Sequence, residues 1–351
     1  MSFHELRSEQ LRQLIDTREV YQAWRNADDE RRRRFVGSMR WAQRGAHIYL
    51  LRKIGSRETS LGPRSEELER THDAFMEGRA ENRERLVGLT SRLDELAPVN
   101  MAMGIGRVPA VAGRIVRRCD EQGLLGSQLY IVGTNALFAY EALAGVQVES
   151  GLTATGDIDL LYDARQRLSL AISQDIGQAG LIGLLRRADQ SFSLPRRRGF
   201  RAENRDGYLV DLIRPENRET FRADLPQGLS TLPDDLEGAP IFGLQWLVNA
   251  PKVEAVVIDV RGYPLRVVAI DPRVFALHKS WVSERPNRDP LKRRRDTEQA
   301  RASAQIARRY LGLSFDAADL SALPGELRDR ADDLLAGDSD ETDSARLEPD
   351  W

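Results

Sequence analysis

The chain has a single cysteine, Cys119, in 351 residues, which excludes an internal disulfide framework and a zinc site built from cysteine pairs. Histidine is nearly as scarce: its four copies are scattered and form no His-x-x-x-His metal pair. Lysine occurs only at positions 53, 252, 279 and 292 among 52 basic residues, so arginine carries almost all the positive charge. Long apolar runs are also missing. None approaches the ~18 residues that span a bilayer, so no membrane partner is expected. The opening Met-Ser-Phe-His-Glu-Leu-Arg has no apolar stretch for a secretion signal, and a cytoplasmic location is the expectation. Several familiar motifs are absent as well. There is no Walker A loop, and Gly104-Ile-Gly106 lacks the third glycine and the preceding strand of a dinucleotide fingerprint. Asp157-x-Asp159-x-x-x-Asp163 lacks the glycine and terminal glutamate of a calcium-binding EF-hand loop.

What is present describes a globular chain long enough for two or three domains, with 41% hydrophobic and 30% charged residues. The formal net charge of −2 neither demands nor excludes a nucleic-acid partner, because the charge is unevenly spread. Basic clusters stand at Arg31–Arg34, Arg196–Arg198 and Lys292–Arg295, while residues 337–351 read as an acidic, disordered tail.

Periodicity divides the rest. Residues 1–100 read as a helical region: a helix to about residue 35, a small β element over about 37–62, and a long charged helix over about 64–97. In that helix Leu86, Leu89, Leu93 and Leu96 form a packing stripe, and Pro98 is expected to close it. Trp41, His47 and Tyr49 in the β element suit core packing, with base stacking as the alternative. Residues 101–271 read as a mixed α/β domain. A helix over 107–124 feeds the strand Leu129–Val132, then come the helix Asn135–Ala144 and the strand Asp157–Tyr162. A helix over 164–187 and two hairpins complete it, one turning at Asp206-Gly207 and one at Arg261–Pro264. Residues 272–336 read as helical, with Pro272 at a first helical position.

The most informative part is Leu129–Tyr140 followed by Gly156–Asp163. An apolar strand breaks at Gly133-Thr134 into a helix, and the next strand carries Asp157 and Asp159. Residues i and i+2 of a strand share a face, so the two carboxylates project together while Ile158 points to the core. Like charges held side by side call for a cation, and a tight Gly-Thr turn offers backbone N–H groups to phosphate.

Order, element type and a separation of just over twenty residues resemble the nucleotidyltransferase fold of the DNA polymerase β superfamily. Its signature is hydrophobic-Gly-Ser/Gly, then Asp-hydrophobic-Asp-hydrophobic. More narrowly, the chain resembles bacterial nucleotidyltransferase-fold proteins with a helical and small β region before the signature. The resemblance implies an α/β (α+β) fold: a small mixed sheet flanked by helices, with a helical N-terminal extension and C-terminal helices. It also implies that Asp157 and Asp159 hold two Mg²⁺ ions, for which Mn²⁺ can substitute. Asp211, in Tyr208-Leu-Val-Asp-Leu-Ile-Arg-Pro215, would be the third carboxylate, ligating the catalytic ion and helping to deprotonate the acceptor hydroxyl. A structural pairing of Asp211 with Arg214 or another arginine is the alternative. Gly133 and Thr134 would contact the β and γ phosphates of an NTP such as ATP, with Thr134 replacing the usual serine.

The resemblance also implies a Lys or Arg for the triphosphate on a helix after the catalytic core, for which Lys279 is the candidate, against a solvated helix-face lysine. Lys292 and Asp296 read as an i, i+4 helix pair. His278 reads as a packing or surface residue rather than a base. Arg196, Arg197 and Arg198 are candidate acceptor contacts, against a solvated loop. The expected activity is Mg²⁺-dependent transfer of a nucleoside monophosphate to a hydroxyl acceptor, releasing pyrophosphate. The N-terminal extension and arginine clusters tilt the acceptor towards RNA, tRNA or protein, as for toxin or defence-type relatives, with a small molecule left open. The alternative is a catalytically inactive nucleotide- or RNA-binding module with the same fold.

Overall fold

The structure, a computed structural model, describes residues 3–165, 174–216, 226–316 and 318–336. The acidic tail expected over 337–351 and residues 166–173 of the helix expected over 164–187 lie outside the described residues. The chain forms two compact units, one from Glu9–Ile105 with Arg261–Pro264 and the other from the remaining described residues.

After the two-residue strand β1 (His4–Glu5) comes helix α1 (Ser8–Arg33), then strands β2 (Ser38–Arg44), β3 (His47–Ile54) and β4 (Arg57–Pro63), and helix α2 (Glu66–Ala102). The strands β2, β3 and β4 pair antiparallel in that order as a separate sheet. Helices α1 and α2 run antiparallel: Gln10 donates to the Met103 carbonyl, Thr17 to Asn100, Trp24 to Thr90, and Asn82 to the Ala27 carbonyl. Leu93 and Leu96 of the leucine stripe are buried, as the 3.6-residue period requires of a packing face. Pro98 does not end α2 as expected; the helix passes through it to Ala102. Burial of Leu96, Ala97 and Asn100 on either side outweighs the one backbone hydrogen bond that proline removes.

The second unit holds α3 (Ala110–Glu121), β5 (Leu129–Val132), a 3₁₀ turn (Gly133–Ala136), α4 (Leu137–Ala144), β6 (Val146–Gln147), α5 (Ser150–Thr153) and β7 (Asp157–Tyr162). Then follow α6 (Gln174–Ala188), β8 (Arg201–Glu203), β9 (Leu209–Pro215), β10 (Ala239–Ile241), α7 (Leu244–Asn249), β11 (Lys252–Ile258) and β12 (Pro264–Ile270). Helices α8 (Pro272–Ser283), α9 (Pro290–Gln305), α10 (Gly325–Arg328) and α11 (Ala331–Leu335) complete it. The main sheet is mixed, in the order β10-β9-β7-β5-β12-β11, with β8 also on β9. Strand β5 is antiparallel to β7, whereas β7 and β9 are parallel, as are β9 and β10 and β5 and β12. This is the α+β plan expected, a small mixed sheet with helices around it.

All four residues of β5 are buried, and α3 turns Ala112, Ile115, Val116 and Cys119 into the same core. Each fully buried aliphatic side chain contributes roughly 1.5–3 kcal/mol, so these strands are anchored well enough to carry polar groups at their ends. The starts of α8 and α9 follow local rules. Asp271 and Asp289 accept from the backbone N–H two residues on, and Pro272 and Pro290 occupy the first helical positions.

Candidate active site

The site grows from the end of β5. Gly133 has φ of +64°, and a Cβ added there would lie 2.0 Å from Oδ2 of Asp159. Only glycine fits, because both the left-handed backbone and the close carboxylate exclude a side chain. The proximity follows from register, since Val132 of β5 pairs with Asp159 of β7. In β7 the burial alternates: Ile158 is buried, while Asp157 and Asp159 are half-buried on the other face. On the far side of β7, Asp159 pairs with Asp211 in the parallel register of β9. Partners in a parallel ladder point the same way, so Asp157, Asp159 and Asp211 share one face at one end of the sheet. The Asp157 carbonyl is held by the Asn135 amide at 2.8 Å and by the Tyr208 hydroxyl at 3.3 Å, and its carboxylate accepts from the Thr155 hydroxyl.

The electrostatics are those of crowded negative charge. Burial pushes the Asp159 carboxyl up to about 7; Asp157 and Asp211 push the same way, while Lys279 and Lys292 oppose them. Asp211 meets a different fate. Arg201 donates to both its oxygens, Nε to Oδ1 at 2.7 Å and Nη2 to Oδ2 at 2.6 Å. The arginine alternative for Asp211 is therefore realised, through Arg201 rather than Arg214, which donates to the Gly238 and Pro215 carbonyls. Arg201 stands directly opposite Asp211 because the β8–β9 loop is Arg205–Gly207, one residue longer than the two-residue Asp206-Gly207 turn that would have set Leu212 there. Among the described residues, no three His, Cys, Asp or Glu side chains are arranged as a ready metal cage. Both oxygens of Asp211 already accept from Arg201.

The other candidates are dispersed. Thr134 is buried, and its hydroxyl accepts from Gln299 of α9 at 3.1 Å while remaining able to donate. Lys279 is not a solvated helix-face residue: its ammonium lies 2.7 Å from the buried Asp296 carboxylate, which also binds Arg288. Asp296 is thus committed to Lys279 and Arg288 instead of the i, i+4 lysine, and exposed Lys292 is left as a positive charge acting on Asp159. His278 is a packing residue. It packs half-buried against Trp246 and Trp281 with its Nε2 enclosed, and burial lowers its pKa to about 3, so it is neutral. Arg196, Arg197 and Arg198 are exposed, with Arg197 near Asp234 at 2.9 Å and Arg198 near Glu237 at 3.7 Å. Trp41 packs beside His72 and beneath Arg64. No helix among the described residues is long and apolar enough to cross a membrane.

No curated protein and no solved structure matches the chain. A family model described as Nucleotidyltransferase matches residues 110–324, more than half of the chain and all of the strands that carry the three carboxylates. With the glycine turn packed on Asp159 and the carboxylates on one face, the match has a structural counterpart: the chain belongs to the nucleotidyltransferase family.

Proposed function

We propose that this chain is a Mg²⁺-dependent nucleotidyltransferase of the DNA polymerase β type, transferring a nucleoside monophosphate from an NTP to a hydroxyl acceptor. The observation that supports this reading best is the alignment of Asp157, Asp159 and Asp211 on one face, beside the Gly133 turn. Three carboxylates are the donor set of a hard divalent ion, and the charge crowded on Asp159 is what such an ion relieves. Asp157 and Asp159 would hold Mg²⁺, with Mn²⁺ able to substitute, and Asp211 would join them once free of Arg201. A divalent ion there supplies charge neutralisation for the leaving pyrophosphate and acidifies the attacking hydroxyl.

The chain's own residues do the rest. The Gly133-Thr134 turn offers backbone N–H groups to the phosphates, with no side chain between the turn and Asp159. Lys279, steadied by Asp296, and Lys292 supply positive potential for the triphosphate. Asp211 accepts the proton of the acceptor hydroxyl. The acceptor reading keeps RNA, tRNA or protein ahead of a small molecule, resting on the exposed Arg196–Arg198 loop and the arginine-rich composition.

The test is direct. Each α-³²P NTP is incubated with the protein, Mg²⁺ and total cellular RNA or lysate, and the labelled species are resolved. Wild type should label an acceptor and Asp157→Ala and Asp159→Ala should not; equal labelling by both variants would sink the proposal. The Arg201–Asp211 pair favours a second reading, an inactive nucleotide- or RNA-binding module. That reading requires Mg²⁺-independent binding, unaffected by the aspartate substitutions, and no labelling by wild type.

A further inference from the structure

We propose that Arg201 is a positioning residue that occupies Asp211 as an internal cation and so sets the order in which the carboxylate site is loaded. The inference rests on the two-metal reading above. Asp211 is buried and both its oxygens accept from one guanidinium, at 2.7 and 2.6 Å. A carboxylate forked in this way keeps one free lone pair on each oxygen, but its charge is already neutralised by the guanidinium, whereas among the described residues Asp157 and Asp159 meet no arginine fork. Arg201 also lies within the field of Asp157 and Asp159, so it answers the charge of the whole cluster. Its side chain is 43% exposed where that of Asp211 is 10% exposed. The guanidinium therefore has solvent to move into, while the carboxylate stays fixed by the register of β9. Next to it, the Phe200 ring lies 5.5 Å from the guanidinium carbon and is itself exposed, so it can accompany that movement.

Arg201 and a divalent ion compete for the charge of Asp211. An ion binding there would meet the guanidinium's positive charge and weaken the bidentate pair, while one binding at Asp157 and Asp159 would not. The site at Asp157 and Asp159 fills first, and the one that includes Asp211 fills second, as Arg201 swings out. While the fork is closed, Arg201 also competes with an acceptor hydroxyl for Asp211. The same arginine thus holds the base back until the site is charged.

Mn²⁺ binding to the full chain measures this without any reaction. Calorimetry and electron paramagnetic resonance should show one tighter and one weaker ion for wild type. In Arg201→Met the weaker ion should bind about tenfold more tightly, equal to ~1.4 kcal/mol, with the tighter ion little changed. Arg201→Lys keeps the charge but cannot fork, so it should fall between. Adding Asp211→Asn should remove the second ion in every background. Should Arg201→Met prove poorly folded, Arg201→Lys carries the same test, and the Mn²⁺-induced rise in melting temperature should exceed that of wild type in either variant. Two ions in all three proteins with the same affinities would overturn the role of Arg201 while leaving the metal site intact. No Mn²⁺ binding that depends on Asp157 or Asp159 would overturn the two-metal reading as well.

Discussion

The two units bury polar groups in opposite ways. In the helical unit, Asn100 is fully buried and both its side-chain polar atoms have partners: its oxygen accepts from Gln13 at 2.9 Å and Thr17 at 3.1 Å, and its amide donates to the Gly262 carbonyl at 2.8 Å. In the sheet unit, Asp159 is packed against Gly133 beside two more carboxylates, and among the described residues nothing donates a hydrogen bond to it. A satisfied polar cluster specifies packing, whereas a carboxylate without a donor, crowded by two others at a strand end, stores electrostatic cost for a ligand to relieve. The difference separates structural from functional burial without reference to the family.

The largest expected effect falls on the carboxylate cluster. Asp157→Ala and Asp159→Ala should lower labelling by at least ~10³-fold, as removal of groups that act on transition-state charge does, with the circular dichroism spectrum unchanged. Gly133→Ala comes next. A Cβ there meets Asp159 at a backbone φ of +64°, so activity should fall by about a hundredfold and denaturant titration should show a loss of ~1–3 kcal/mol.

The satisfied cluster should break differently. Asn100→Leu strands donors and an acceptor in the interior, at a cost of ~2–4 kcal/mol in urea unfolding. By contrast, substitution at Asp159 should stabilise. The folded carboxyl titrates near 7 against an ordinary value of 3.8, so the metal-free protein loses stability as pH rises between those limits. Asp159→Asn has no such slope, and in chelator it should exceed wild type by ~1–3 kcal/mol at pH 8, after discounting for solvent access, with little difference near pH 4. Divalent-ion affinity of the wild type should correspondingly rise through pH 7. The smallest effect belongs to the loop arginines. Arg197→Ala and Arg198→Ala break exposed pairs and should change unfolding free energy by less than ~0.5 kcal/mol. A loss comparable to that of Asn100→Leu would show that exposure is a poor guide to the comparison.

Much of this was legible locally. A strand's two-residue period puts Asp157 and Asp159 on one face, and the Asp206-Gly207 signal marks the β8–β9 hairpin. Caps and prolines at Asp271-Pro272 and Asp289-Pro290 mark where α8 and α9 begin. Other features were hidden. Pro98 reads as a stop, yet burial on both sides carries α2 past it. Strands β1 and β6 are two residues each, too short for any periodicity to show. The commitment of Lys279 to Asp296 pairs residues on different helices, where the local spacing pointed to Lys292.

By itself, then, the sequence determined the element types, the Gly133 turn, the paired aspartates and the α+β plan, because each depends on neighbours a few residues apart. Tertiary structure alone decided that Asp211 stands level with Asp159. The register between parallel strands about fifty residues apart comes from packing two apolar faces, which no local pattern specifies. It also decided which positive charges reach the carboxylates. A long cationic side chain can reach several partners, and only the packed fold selects Arg201 for Asp211 and Asp296 for Lys279.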